Sequence, residues 1–191
     1  MLTVIGSGGR TNRVLWLLEE LGAEYTHDPA RPHSPEMYAA NPLGQMPALR
    51  DGEHVLTDSL AILHYLADRA GRFTYPAGTP QRAVMDARIN FVLTEMEAPI
   101  WLMARHGFVL PEAMRQPGMR AIAEPDFAYG EARFERLLGD AEYFAGDDFT
   151  SADIVAAHTL NWAVGAKISL KSEAAKGYLG RMTARAAWRK V

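Results

Sequence analysis

Residues 41–70, NPLGQMPALRDGEHVLTDSLAILHYLADRA, decide how this chain is read. A loop runs into a strand over 46–50 that enters on Pro47. Asp51-Gly52-Glu53 then supplies a turn whose Asp-Gly pair is a strong hairpin signal. A second strand covers 54–56, and a helix over 58–70 opens on Asp58 and Ser59, with Ile62, Leu63 and Leu66 on its inner face. Two features here suit a small peptide-like acid. One is the backbone around Met46 and Pro47; the other is the amino end of the helix.

Toward the amino terminus, residues 2–5 form a short apolar, partly β-branched run that stops at Gly6, followed by the loop SGGRTN. Val14, Leu17, Leu18 and Leu21 then fall at the i, i+3, i+4, i+7 spacing of a helix with one buried stripe. Gly22 closes this helix, and Thr11 or Asn12 is its natural N-cap. Residues 24–28 read as a second strand, and Ser34 begins a helical turn that Asn41-Pro42 ends. The order is βαβ, α, ββ, α, which predicts a small mixed sheet with helices on its faces.

Residues 71–80, GRFTYPAGTP, lack periodicity and hold the linker, placed at 73–79. Beyond it no strand pattern recurs. Helices are expected over 81–106, 126–138, 150–167 and within 171–188, with a broken connection over 111–125. The sequence therefore predicts an α/β domain over 1–72 and an all-helical domain over 80–191. Thr150-Ser151-Ala152-Asp153 reads as a capping box that fixes a helix start in the core.

Composition narrows the functional classes. The chain has 191 residues, 48% hydrophobic and 23% charged, with a formal net charge of −3. Its basic residues form no run or face, which argues against a nucleic-acid partner. Cysteine is absent, so disulfides, cysteine-ligated zinc and a cysteine nucleophile are excluded. Histidines 27, 33, 54, 64, 106 and 158 show no metal-ligand spacing, and no metal is expected. No apolar run reaches the roughly 20 residues of a membrane helix, and the first residues read as a strand. A cytoplasmic location is the expectation.

Each candidate site has a plain structural alternative. Pro47 is either a trans proline starting a strand or a cis proline that turns the Met46 carbonyl and N–H toward a cleft, where a peptide backbone can pair by strand addition. Asp58 and Ser59 are either an ordinary cap or a seat for both ends of an α-amino acid. In that seat the helix N-terminus takes the carboxylate and Asp58 the ammonium. Ser7, Thr11 and Asn12 are either turn and cap residues or donors to a ligand thiolate at the start of the first helix. Arg10 and Arg13 read as solvated charges. Trp101, His106 and Phe108 are apolar or aromatic residues near the end of a long helix, fit for core or for a substrate pocket.

Taken together, RVLWLLEELGAEY, NPLGQMPALRDG, LTDSLAILHYLADR and FTSADI, in this order and spacing, resemble the cytosolic glutathione transferases of bacteria. The resemblance covers nearly the whole chain. It implies a thioredoxin-like N-terminal domain, an all-helical C-terminal domain and a homodimer. It also implies a transferase that uses glutathione as co-substrate, with a role in detoxification. Pro47 matches the family's cis proline and Met46 the residue that pairs with the cysteinyl unit. Asp58 and Ser59 match the pair that holds the γ-glutamyl group. Gln45 matches a frequent glutathione contact, and His33 falls near a position that meets the glycyl carboxylate.

The chain departs from that pattern in the first loop. Many relatives read Ser-Arg-Ser-x-Arg-Val where this chain reads Gly9-Arg10-Thr11-Asn12-Arg13-Val14. The first serine is a glycine, and the second keeps a hydroxyl as threonine. Thr11 ahead of Ser7 is the expected donor to the thiol. A glutathione-dependent isomerase or dehalogenase, and a non-catalytic glutathione-binding protein of the same fold, are the alternatives.

Overall fold

The computed structural model describes residues 1–191. The chain divides into two compact units, Met1–Thr79 with Ala184–Val191, and Pro80–Thr183.

The first unit is built on a four-stranded sheet. Its elements are β1 (Leu2–Ile5), α1 (Thr11–Leu21), β2 (Tyr25–Asp28), α2 (Pro35–Ala40), β3 (Ala48–Asp51), β4 (His54–Thr57) and α3 (Ser59–Ala70). The strand order is β2-β1-β3-β4. β1 and β2 run parallel, and the other two pairings are antiparallel. This is the mixed, helix-covered sheet that the sequence predicts. Val14, Leu17 and Leu18 on α1, with Ile62, Leu63 and Leu66 on α3, are buried. Ala30, Ile5 on β1, Met37 and Ala40 on α2, and Ala48 on β3 form a further buried cluster, with Met46 packed against it.

Ser34 caps α2 by accepting from the Met37 N–H, and Pro35 opens it. α1 starts differently from expectation. Arg10 occupies its cap position without a side-chain bond, and Thr11 is the first helical residue. Gly8 and Gly9, at φ 63° and 52°, let the loop roll into tight turns whose carbonyls take the Thr11 and Asn12 amides at 3.1 and 3.2 Å. Arg13, expected in solvent, is 1% exposed. It lies one turn before Leu17 on the buried side of the helix.

The last residues return to the first unit, where the sequence placed them with the helices. Arg185 donates to both carboxylate oxygens of Glu20, at 2.6 and 2.8 Å, and Lys190 to Glu19 at 2.7 Å. Trp188 meets Trp16 edge-on at 4.9 Å.

The second unit is all-helical: α4 (Pro80–Phe91), α5 (Ala98–Ala104), α6 (Met119–Leu138), α7 (Ser151–Gly165) and α8 (Glu173–Thr183). Helical turns at Val92–Glu97 and Arg105–Val109 are widened to the π form. α7 is buried on every side over residues 151–160 and forms the centre of the unit. Its capping box forms as the sequence predicts. Asp153 accepts from the Phe144 and Thr150 amides, at 2.7 and 2.8 Å, and from the Tyr178 hydroxyl at 2.8 Å.

The second unit also corrects one expectation. α6 runs from Met119 through Pro125, where the sequence predicted a broken connection up to residue 125. A proline inside a helix removes one N–H and crowds the preceding turn, and here the rest of the helix carries that cost. Its seat is fixed by Gly130, where an added β-carbon would stand 2.3 Å from the Glu95 carbonyl oxygen. No helix of the chain is long and apolar enough to cross a membrane.

Candidate functional site in the first unit

The candidate site is assembled by the β3–β4 ladder. Ala48 pairs with Thr57, so the residues just outside that pair, Pro47 and Asp58, come side by side. The Met46–Pro47 peptide is cis. Met46 precedes the first β1–β3 pair, Ile5 with Ala48, so its main-chain N–H and C=O lie outside the ladder. They can pair with an incoming extended peptide.

Asp58 is the N-cap of α3. Its Oδ1 accepts from the Leu60 and Ala61 amides, at 2.9 and 3.1 Å, with φ at +70°. Asparagine and aspartate tolerate that left-handed geometry better than other side chains. Asp58 is exposed, and Ser59 beside it is 3% exposed. A carboxylate edge beside a helix N-terminus is a paired field. The positive helix end attracts an anion, and Asp58 attracts a cation next to it.

The loop after β1 lies against Met46. Gly6 donates to Asp28 O at 2.9 Å, and its own carbonyl lies 2.8 Å from His27 Nε2. The Ser7 amide donates to Met46 Sδ at 3.4 Å, which ties the loop to the cis-proline strand. Ser7 and Asn12 are half-exposed. Thr11 is fully buried, and its Oγ1 has no hydrogen-bond partner. A β-carbon on Gly6 would stand 2.7 Å from that oxygen and 2.9 Å from the Met46 β-carbon.

His33 and Gln45 lie on the loops that flank α2. Both are exposed. The His33 amide donates to Gly44 O at 2.8 Å, which sets His33 beside Gln45. The Asn41 side chain accepts from Leu43 N at 3.0 Å and donates to Gln45 O at 2.7 Å. His27, Tyr38 and Asn41 were not singled out by sequence reasoning. Asn41 carried a signal, since an Asn-Pro step favours local side-chain capping of a turn. His27 and Tyr38 act through contacts that no spacing rule encodes.

Thus Ser7, Thr11, Met46 and Pro47 are brought into one neighbourhood. Asp58 and Ser59 join it through the ladder, and His33 and Gln45 through the 41–46 loop. Trp101, His106 and Phe108 belong to the second unit. Trp101 is half-buried and 6.4 Å from the Trp162 ring. His106 Nδ1 accepts from the Gln116 amide at 3.1 Å, and Phe108 is 72% exposed. No group of histidine, aspartate and glutamate side chains is arranged to hold a metal ion.

Comparison with known proteins identifies the family. The sequence profile of the glutathione S-transferase N-terminal domain matches residues 2–68, and that of the C-terminal domain matches residues 108–185. The chain is 30% identical over 154 residues to glutathione S-transferase GstA of Escherichia coli O157:H7, covering 78% of this chain and 73% of that protein. It is 28% identical over 201 residues to a glutathione S-transferase of Hyoscyamus muticus, covering 94% and 91%. Among solved structures, the glutathione S-transferase from Xylella fastidiosa superposes with a TM-score of 0.86 at 24% identity, covering 100% of this chain and 96% of that one. At that identity the likeness speaks for the fold. With both domain profiles matched in order around this sheet, the chain belongs to the cytosolic glutathione transferase family.

Proposed function

We propose that the protein is a glutathione transferase that joins the glutathione thiolate to a small hydrophobic electrophile. The observation that carries this reading is the Ala48–Thr57 register. It sets a strand edge for a peptide backbone beside a carboxylate and a helix N-terminus fit for an α-amino acid. Glutathione has both parts, one residue apart. The cysteinyl unit pairs with the Met46 main chain. The γ-glutamyl ammonium meets Asp58, its carboxylate meets Ser59 and the start of α3, and the glycyl carboxylate meets His33 and Gln45.

Activation of the thiol falls to the loop after β1. An ordinary thiol has a pKa of about 8.5, and lowering it by about two makes thiolate dominant at neutral pH. Accessibility puts Ser7 ahead of Thr11 as the donor, because the Thr11 oxygen is sealed behind Gly6. Asn12 is the third candidate. We assign contacts to the electrophile to Trp101, His106 and Phe108, and the assembly to a cytoplasmic homodimer with a role in detoxification.

A second reading rests on the same loop. With Gly9 in place of a serine and Thr11 buried, a binding protein that has lost turnover is the alternative. The test is binding to immobilised glutathione together with conjugation to a chloronitroarene. The proposal expects both, with Ser7→Ala lowering kcat by roughly 10- to 100-fold. Binding without conjugation supports the second reading, and a loss of turnover confined to Thr11→Val returns the donor role to Thr11. Product analysis separates conjugation, which leaves glutathione in a thioether and expels chloride from the chloronitroarene, from isomerisation, which regenerates free glutathione.

A further inference from the structure

His33 is an exposed histidine held in an unusual way. Its φ is +61°, a left-handed conformation that is unfavourable for a residue other than glycine. Its amide is tied to Gly44 O at 2.8 Å, and its Nδ1 stands 3.1 Å from the Tyr38 hydroxyl. Gly44 closes the arrangement from behind. A β-carbon there would lie 2.7 Å from both His33 Nδ1 and the Tyr38 ring. Both rings are accessible, with Tyr38 49% exposed, so burial does not explain why backbone, ring and glycine are fitted together.

From this fit we infer that Tyr38 is the positioning residue of the glycyl end of the glutathione site, acting through His33. A phenol donating to Nδ1 selects the neutral tautomer whose Nε2 carries the proton. Nε2 then presents a donor, where the other tautomer would present a lone pair to an approaching carboxylate. In the imidazolium form both nitrogens donate, and Tyr38 accepts instead. In either form the hydroxyl fixes the ring plane and keeps an N–H aimed outward. The aim suits the ligand's length. His33 is tied to Gly44, two residues before Met46, and an extended peptide paired at Met46 advances roughly 3.4 Å per residue toward its carboxyl end.

The inference rests on the glutathione reading, and its test separates the two. Affinity is measured by calorimetry for glutathione and for γ-glutamylcysteine, which lacks the glycine. Tyr38→Phe keeps the ring and removes only the hydroxyl. It should weaken glutathione roughly 5- to 10-fold and leave γ-glutamylcysteine unchanged. With a chloronitroarene as electrophile, KM for glutathione should rise while kcat holds. His33→Asn, which tolerates the left-handed backbone but is too short to replace the ring, should remove the same preference. Adding Tyr38→Phe to it should then cost nothing more. If Tyr38→Phe weakens both ligands alike, or neither, the positioning role is overturned while the glutathione reading stands. If the wild-type protein binds neither ligand, both fall.

Discussion

Ala48 pairs with Thr57 across the β3–β4 ladder, and this register places Pro47 beside Asp58. Asp58 caps α3 through Oδ1, and in the proposed function it also holds the ligand's ammonium. Asp58→Asn divides them, because asparagine caps as well as aspartate but carries no charge. Thermal denaturation should show a change in stability within about 0.5 kcal/mol. Calorimetry should show glutathione affinity reduced by about 10-fold or more.

Behind the Ser7 loop, Gly6 has no room for a side chain. At φ +134°, a β-carbon would crowd both Thr11 Oγ1 and Met46. Gly6→Ala should cost about 2–4 kcal/mol, read from urea denaturation. Thr11→Val, which exchanges an unpartnered buried hydroxyl for a methyl of similar size, should be neutral or stabilise by about 1 kcal/mol.

Glu19 joins two titrations. Its hydrogen bond from Lys190, then that from Tyr25, hold its carboxyl below the ordinary range. The folded state therefore binds that proton less tightly than the unfolded state. The stabilisation is complete above the ordinary glutamate value and is lost as pH falls through the lowered one. Between about pH 6 and about pH 3, Tm should fall further for wild type than for Glu19→Gln. On the alkaline side, burial first and the Glu19 bond second push the Tyr25 phenol up to about 12. Here the folded state holds the proton more tightly, so stability is intact below the ordinary tyrosine value and declines as pH rises toward the raised one. Phenolate absorbance in Glu19→Gln should appear at lower pH than in wild type.

The carboxy-terminal return is an ionic and aromatic clasp on α1. Glu20 serves Arg185 and also accepts from the Trp16 indole at 3.0 Å. Arg185→Ala should lower stability by about 1–2 kcal/mol, measured by equilibrium unfolding. Glutathione affinity should stay within about twofold, since no group of the clasp is assigned to the ligand.

What the sequence made legible follows from the range of the forces involved. α1, α3, the Asp51-Gly52 turn and the Thr150–Asp153 box rest on contacts within a few residues, which spacing encodes. The widened turns at Val92–Glu97 and Arg105–Val109 shift the helical phase by one residue, and nothing in the apolar pattern marks such a shift. The breaker rule that marks Pro125 as a stop is local, whereas the fit of Gly130 on the Glu95 carbonyl is tertiary. Residues alone left Pro47 open between cis and trans, and family resemblance pointed to the cis form that is observed. The burial of the Thr11 oxygen against Gly6 is a contact between loop and helix that the residue types of the loop do not encode. The partner of Tyr38 is a single ring nitrogen in a loop, which no spacing rule encodes.

The central claim is that glutathione sits along the Met46 edge and the start of α3. Its most direct test is a glutathione titration followed by backbone amide chemical shifts. Saturable shifts are expected at Ser7, Gln45, Met46, Ser59 and Leu60, with His33 moving for glutathione and not for γ-glutamylcysteine. Saturable binding that leaves Met46 and Ser59 unmoved, or no binding at millimolar glutathione, would contradict it.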